Sequence, residues 1–159
     1  ALIQSTDFYP TLLNLAGLEL PKNHIIDGID ITETLKGNDI KREGIFTYFP
    51  HQPGVPDWLP TSISVHSGDW KLIRLFHQGD NFKHDYLLYN LKWDISEHNN
   101  LAKVYPDKVA VLDELIEKHI VDTKAIVPIQ NPTFNPAKYK PENIGKQDGG
   151  IKGKKLEIN

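Results

Sequence analysis

Apolar residues recur along this chain at two different spacings, one helical and one alternating. Leu12, Leu13, Leu15 and Ala16 form a stripe at helical spacing. Asp7 stands ahead of that stripe as an expected N-cap, Pro10 fits the first turn, and Gly17 is placed to end the helix. A short helix is expected over 31–36, stopping at Gly37. The strongest helical pattern runs from Pro106 to Val121, with Pro106 at the first position and Asp107 in the positive first turn. Val109, Leu112, Leu115 and Ile116 make its buried face, and Asp113, Glu114 and Glu117 are expected on the outside. Between the helices the period changes to two. Gly44–Phe49, Ser62–His66, Trp70–Phe76 and Tyr86–Leu91 read as strands, with Gly68-Asp69 as a two-residue hairpin turn. Ser62, Ser64 and Ser67 then belong to a polar strand face. The segment 50–60 holds four prolines and reads as a loop, and so does the polar stretch 77–84. The pattern predicts an α+β fold, a small antiparallel sheet of about four strands packed against a long C-terminal helix.

Composition narrows the function classes. The 159 residues are 39% hydrophobic and 25% charged, enough for one domain with a core. No apolar run approaches the ~18 residues that would span a bilayer, so no membrane partner is expected. A net charge of −3 gives no electrostatic reason for a nucleic-acid partner. The charge is uneven, however: six lysines and three acids lie from Pro136 onward, leaving 12 basic and 18 acidic residues before it. Residues 1–136 are therefore read as the domain and 137–159 as a flexible basic tail. Cysteine is absent, which excludes disulfides, thiolate metal sites and a cysteine nucleophile. Methionine is absent as well and the chain opens Ala1-Leu2-Ile3, which predicts a processed chain or a fragment without a signal peptide.

Candidate chemistry is sparse. The histidines are His24, His51, His66, His77, His84, His98 and His119, and no pair shows the spacing that puts two imidazoles on one face. No metal site is expected. A G-x-S-x-G elbow and a phosphate-cradling loop are both missing. Asp27 and Asp30 read as turn and capping residues. The proline loop stands out, because His51, Gln52, Asp57 and Trp58 combine a flat apolar ring with directed hydrogen-bond groups, the mix that holds a sugar or another polar ligand.

Several stretches, in order, resemble one family. Ser5 to Gly17, reading Ser-Thr-Asp-Phe-Tyr-Pro-Thr-Leu-Leu-Asn-Leu-Ala-Gly, resembles a late helix of sulfatases of the alkaline-phosphatase superfamily. Asp27-Gly28 with Leu35-Lys36-Gly37, the hairpin Gly68-Asp69-Trp70-Lys71-Leu72-Ile73, Leu88-Tyr89-Asn90-Leu91 with Asp94, Glu97 and Asn100-Leu101-Ala102, and Asn131-Pro132 resemble its following blocks. The resemblance implies the C-terminal subdomain of a sulfatase, with the N-terminal helix at the junction to a missing catalytic domain. Whole members hydrolyse sulfate esters, often on sugars. They use a formylglycine made from a Cys/Ser-x-Pro-x-Arg motif and a calcium ion. That motif is absent here, since Arg42 and Arg74 are the only arginines and neither stands in it. The expectation is thus a fragment inactive alone, with formylglycine and calcium in the catalytic domain, its partner. Its substrate would be a sulfated carbohydrate, and the compartment periplasmic or extracellular. His51 is the foremost substrate contact, followed by His66 (where many relatives have Arg) and Trp58. Lys71 and Asp69 are read as shaping the hairpin. Ile3, Phe8 and Leu12 are expected in an apolar patch facing the catalytic domain or covered by a second copy. The rival reading is a free-standing carbohydrate-binding or structural interaction module.

Overall fold

The computed structural model describes residues 1–51, 60–133, 135 and 137. Four strands form one antiparallel sheet in the order β1-β2-β3-β4: β1 Ile45–Phe49, β2 Ser62–Ser67, β3 Trp70–Leu75 and β4 Asp85–Asn90. Neighbours in sequence pair in space, and the β2–β3 register of Ser67 with Trp70 leaves Gly68-Asp69 as the turn. Gly68 there has φ +57°, a left-handed conformation that glycine adopts without a Cβ penalty.

Helix α3, Pro106–Thr123, lies across one face of the sheet. Strict alternation sends Ile63 and Val65 of β2, Leu72 of β3 and Leu88 of β4 to that face, where they pack with Leu112, Ile116 and Ile120 of α3. All seven are buried, and this is the main core. Val109 and Leu115 pack against it as the helical pattern predicts. Lys124 ends α3 in a left-handed conformation, and the Ala125 N–H returns to the Ile120 carbonyl. The outer edge of β4 is closed by side-chain mimicry. Asn100 accepts from the Leu88 N–H through Oδ1 (3.0 Å) and donates to the Tyr86 carbonyl through Nδ2 (3.2 Å), while the Leu101 N–H bonds the Leu88 carbonyl.

The N-terminal unit comprises α1, Phe8–Leu15, and the one-turn α2, Thr32–Leu35. Gly17 (φ +71°) ends α1, with the Leu18 N–H reaching the Leu13 carbonyl and the Gly17 N–H the Asn14 carbonyl. That pattern is a Schellman end, as expected of a glycine in this place. The N-terminal expectation is corrected. Asp7 has helical backbone angles and makes no side-chain cap to α1. Its carboxylate is fully buried and held by both Arg42 Nη groups at 2.7 Å. The Ile29 N–H also donates to it, and the Ile31 N–H reaches Thr11 Oγ1, which ties the 28–31 connection to α1. Gly28 passes so close that a Cβ would lie 2.0 Å from the Thr6 carbonyl oxygen, so no other residue fits.

A second correction concerns α3. Asp113 and Glu117 are not simply solvated, because both bind the buried Arg74 of β3. The apolar stripe of α1 is also largely uncovered: Leu12 is 62% and Leu15 58% exposed, beside Ile3 and Phe8. The proline loop beyond His51 and most of the expected basic tail lie outside the described residues. No helix among the described residues is long and apolar enough to cross a membrane.

Candidate functional site

The alternation that sends Ile63, Val65 and Leu72 toward α3 sends their neighbours to the opposite face. Paired residues of adjacent strands share a face, so Thr47 and Ser64, His66 and Lys71, and Ser64 and Ile73 stand together on the side away from α3. Part of this side is itself buried, since Ile73, Leu75 and Tyr89 cluster there with Leu87 and Leu91. A groove of about 360 Å³ runs over it, within the size range of small-ligand sites. Its polar groups are Thr47, Ser62, Ser64, His66, Lys71 and Glu97, and Ile45, Phe49, Ile73 and Leu91 supply apolar surface.

The polar groups are arranged with some rigidity. Lys71 Nζ lies 2.7 Å from the Glu97 carboxylate, with both side chains about one-third exposed or less. Glu97 reaches it from the loop after β4 with φ +56°, an uncommon conformation for a residue with a side chain. Asp94 orders the same loop by accepting the His98 and Asn99 N–H groups. Those bonds hold its carboxyl below the usual range, the Asn99 N–H contributing most. Tyr89 lies on the same face, where burial, with the negative charges of Glu97 and Asp94, pushes its phenol upward. His66 also borders a second groove of about 590 Å³, shared with Arg42, Asp69 and Lys92, so its imidazole stands on the divide between the two.

The expected site residues are therefore distributed as follows. His66 is in the groove. His51 is exposed just past the end of β1, its ring edge-on to Phe49 at 5.6 Å between centroids, so it stands beside a residue that lines the groove. Trp58 lies outside the described residues. The sequence reading did not select Thr47, Ser64 or Glu97, and it gave Lys71 only a role in the hairpin. For Lys71 the signal was present, because a two-residue turn at Gly68-Asp69 fixes it opposite His66. Glu97 arrives from an irregular loop that no periodicity reveals. Among the described residues no group of three or more His, Cys, Asp or Glu side chains could hold a metal ion.

A small antiparallel sheet backed by one long helix, with a groove on the other face, defines an α+β subdomain. Residues 1–125 match the family model described as N-sulphoglucosamine sulphohydrolase, C-terminal, and the chain belongs to this sulfatase C-terminal family. A protein of Formosa agariphila described as a sulfatase is 32% identical over 111 residues, covering 67% of this chain and 20% of the relative. The fold is also similar to that of a protein solved in complex with its substrate D-glucosamine-2-N,6-O-disulfate, with 25% identity and a TM-score of 0.58 over 74% of this chain and 24% of that one. A Bacteroides thetaiotaomicron protein from a locus for the metabolism of multiple glycosaminoglycans gives 27% identity and a TM-score of 0.51 over 70% of this chain and 24% of that one. The chain thus spans about a fifth to a quarter of the length of these relatives.

Proposed function

We propose that this chain is the C-terminal part of a sulfatase acting on a sulfated carbohydrate, and that its open sheet face forms one wall of the substrate pocket. The observation that carries the reading is the groove. It sets hydroxyls, an imidazole and an ammonium beside apolar surface on the face that α3 leaves uncovered, in a chain of sulfatase family. Hydroxyl and imidazole groups suit the hydroxyls of a sugar, and a cation suits a sulfate. His66 would contact the sugar from the groove. His51 would do so from its rim, and Trp58 completes the proposed set.

The bond-breaking apparatus that the family implies does not fit this chain. Without cysteine, and without a Cys/Ser-x-Pro-x-Arg segment, nothing here becomes formylglycine. The described residues bring no three His, Cys, Asp or Glu side chains together as ligands for a calcium ion. Both belong to the catalytic domain, and the isolated chain is inactive. A periplasmic or extracellular location goes with this reading and is checked by fractionation of the producing cell.

In the full-length protein, H66A and H51A are each expected to lower kcat/KM on the natural sulfated saccharide about tenfold, the size of one lost polar contact. Turnover of a small aryl sulfate, too short to reach the groove, stays unchanged. Equal losses on both substrates would remove these histidines from recognition.

The uncovered stripe of α1 supports the partner part of the proposal. Ile3, Phe8, Leu12 and Leu15 are about half exposed or more. Contiguous apolar surface of this kind marks an interaction site, and the catalytic domain is the occupant that the short coverage of the relatives supplies. The isolated chain is expected to bind a hydrophobic dye strongly or to self-associate in sedimentation, and the full-length protein to do neither. A monodisperse, dye-silent isolated chain would count against this assignment.

A further inference from the structure

The groove has a direction, and strand register sets it. Along β1, Ile45 pairs with His66, Thr47 with Ser64 and Phe49 with Ser62. At about 3.3 Å per residue, His66 and Ser62 stand roughly 13 Å apart. Charge is confined to one end of that length. Lys71 pairs with His66 across β2 and β3, and Glu97 bonds Lys71 there at 2.7 Å. Toward the other end, Thr47, Ser64, Ser62 and Phe49 offer hydroxyls and an aromatic ring, and no charged side chain lines the groove there among the described residues. His51 stands beyond Phe49, at the rim.

We propose that a saccharide lies lengthwise in this groove, with the unit that loses its sulfate at the His66–Lys71 end and an uncharged second unit at the Thr47–Phe49 end. The inference rests on the proposed sulfatase function and adds to it the class of substrate and the order of its units. Glu97 takes one of the three donors of the Lys71 ammonium, which leaves others for the oxygens of a sulfated sugar, and His66 sets a ring nitrogen beside them. At the far end the Thr47 and Ser64 side chains stand side by side across β1 and β2, next to the partly exposed Phe49 ring. Hydroxyls beside an apolar ring match the hydroxyl rim and C–H face of an uncharged sugar. A second sulfate there would give up water and meet no cation. The neighbouring second groove tells which end faces the catalytic domain. His66 lines that groove together with Leu2 and Arg42, and Arg42 holds Asp7 at the start of α1, the helix whose exposed stripe is assigned to that domain.

Two disaccharides given to the full-length protein read the direction. They share their sulfated unit and differ in the second, a hexose in one and a hexose sulfate in the other. The shared unit is whichever hexose or hexosamine sulfate the protein desulfates fastest, and release of that unit's sulfate is followed. With the uncharged second unit kcat/KM is expected to be about tenfold higher, the size of one polar group left without a partner. Thr47→Lys, at an exposed position of the edge strand, supplies a cation at the far end and reverses the preference. His66→Ala lowers both disaccharides alike, because their common unit lies beside it. A parent protein that favours the sulfated second unit or treats both alike, an unmoved preference in Thr47→Lys, or a His66→Ala loss confined to one disaccharide would overturn the proposed order of units. If neither position affects either disaccharide, or no hexose or hexosamine sulfate is turned over, the pocket-wall function itself fails and the inference falls with it.

Discussion

Replacing Arg74 with methionine is expected to destabilise the fold by about 3–5 kcal/mol, read as a lowered urea midpoint with an unchanged slope. Arg74 sits on β3 facing α3, and only 1% of it is exposed. Its Nε and Nη2 lie 2.7 and 2.6 Å from Asp113, and Nη1 bonds Glu117. The Tyr86 hydroxyl donates to the other Asp113 oxygen at 2.9 Å, so one guanidinium organises three side chains between sheet and helix. Burial and the adjacent Asp113 charge push the Tyr86 phenol up to about 12, so it remains a donor. Methionine fills much of the volume but leaves Asp113 facing an apolar strand. Asp113 is 23% and Glu117 60% exposed at the side chain, so water relieves part of the loss and the lower end of the range is favoured. Arg74→Lys is expected to recover only part of it, because an ammonium cannot reproduce the planar fork. Arg74→Met combined with Asp113→Leu should be less damaging than the sum of the two, since well-packed apolar groups can replace a buried ion pair at little loss. A single-substitution loss below about 1 kcal/mol would show that the network contributes specificity without stability.

That network also shows how far the sequence could be read. The strands and α3 were legible because their apolar periods are long and their punctuation is conventional: Pro106 opens α3, Gly17 closes α1, and Gly68 turns β2 into β3. The sulfatase resemblance followed from the order of such blocks and is borne out by the family match over residues 1–125. The polar side chains were less legible, for one physical reason. A charge at a strand or helix position is by default solvated, and only its partner decides otherwise. Asp113 and Glu117 look external on a helical wheel until Arg74, 39 and 43 residues away, is placed beneath them. Asp7 looks like a cap until Arg42 arrives from a connection 35 residues later. The groove divides in the same manner. Its strand residues Thr47, Ser64, His66 and Lys71 follow from alternation and one turn, while Glu97 depends on a loop with a left-handed residue. Local pattern fixes which face a residue occupies; pairing across long separations fixes what that residue does there.

Asp7 carries the second large expectation, an acid-sensitive tie between α1 and the connection that leads into β1. The two Arg42 bonds dominate in lowering its carboxyl to about 2 from an ordinary 3.8; burial opposes them, and the Ile29 and Gln4 N–H groups add to the lowering. A carboxyl whose pKa falls on folding stabilises the folded state at every pH above its unfolded value. The contribution then drains away as pH falls through the folded value, here between about pH 4 and pH 2. At about 1.4 kcal/mol per unit, the difference corresponds to roughly 2 kcal/mol. Asp7→Asn should therefore flatten the stability profile over that interval relative to the parent protein, and the difference between the two curves isolates this residue from Asp30, Glu33 and Asp94, whose carboxyls are also lowered but lie at the surface. At neutral pH the same substitution leaves the Arg42 guanidinium, 8% exposed, without a counter-charge, and a further loss brings the total to about 3 kcal/mol. The loss should be specific in place as well as size. The Ile29 N–H and both Arg42 Nη groups converge on one carboxylate, so exchange protection should fall first around residues 28–31 and α1, with the β2–β3 hairpin keeping its own. Parallel pH profiles for Asp7→Asn and the parent protein would mean that the Arg42 bonds hold no proton-linked free energy, and that the buried contact is geometric alone.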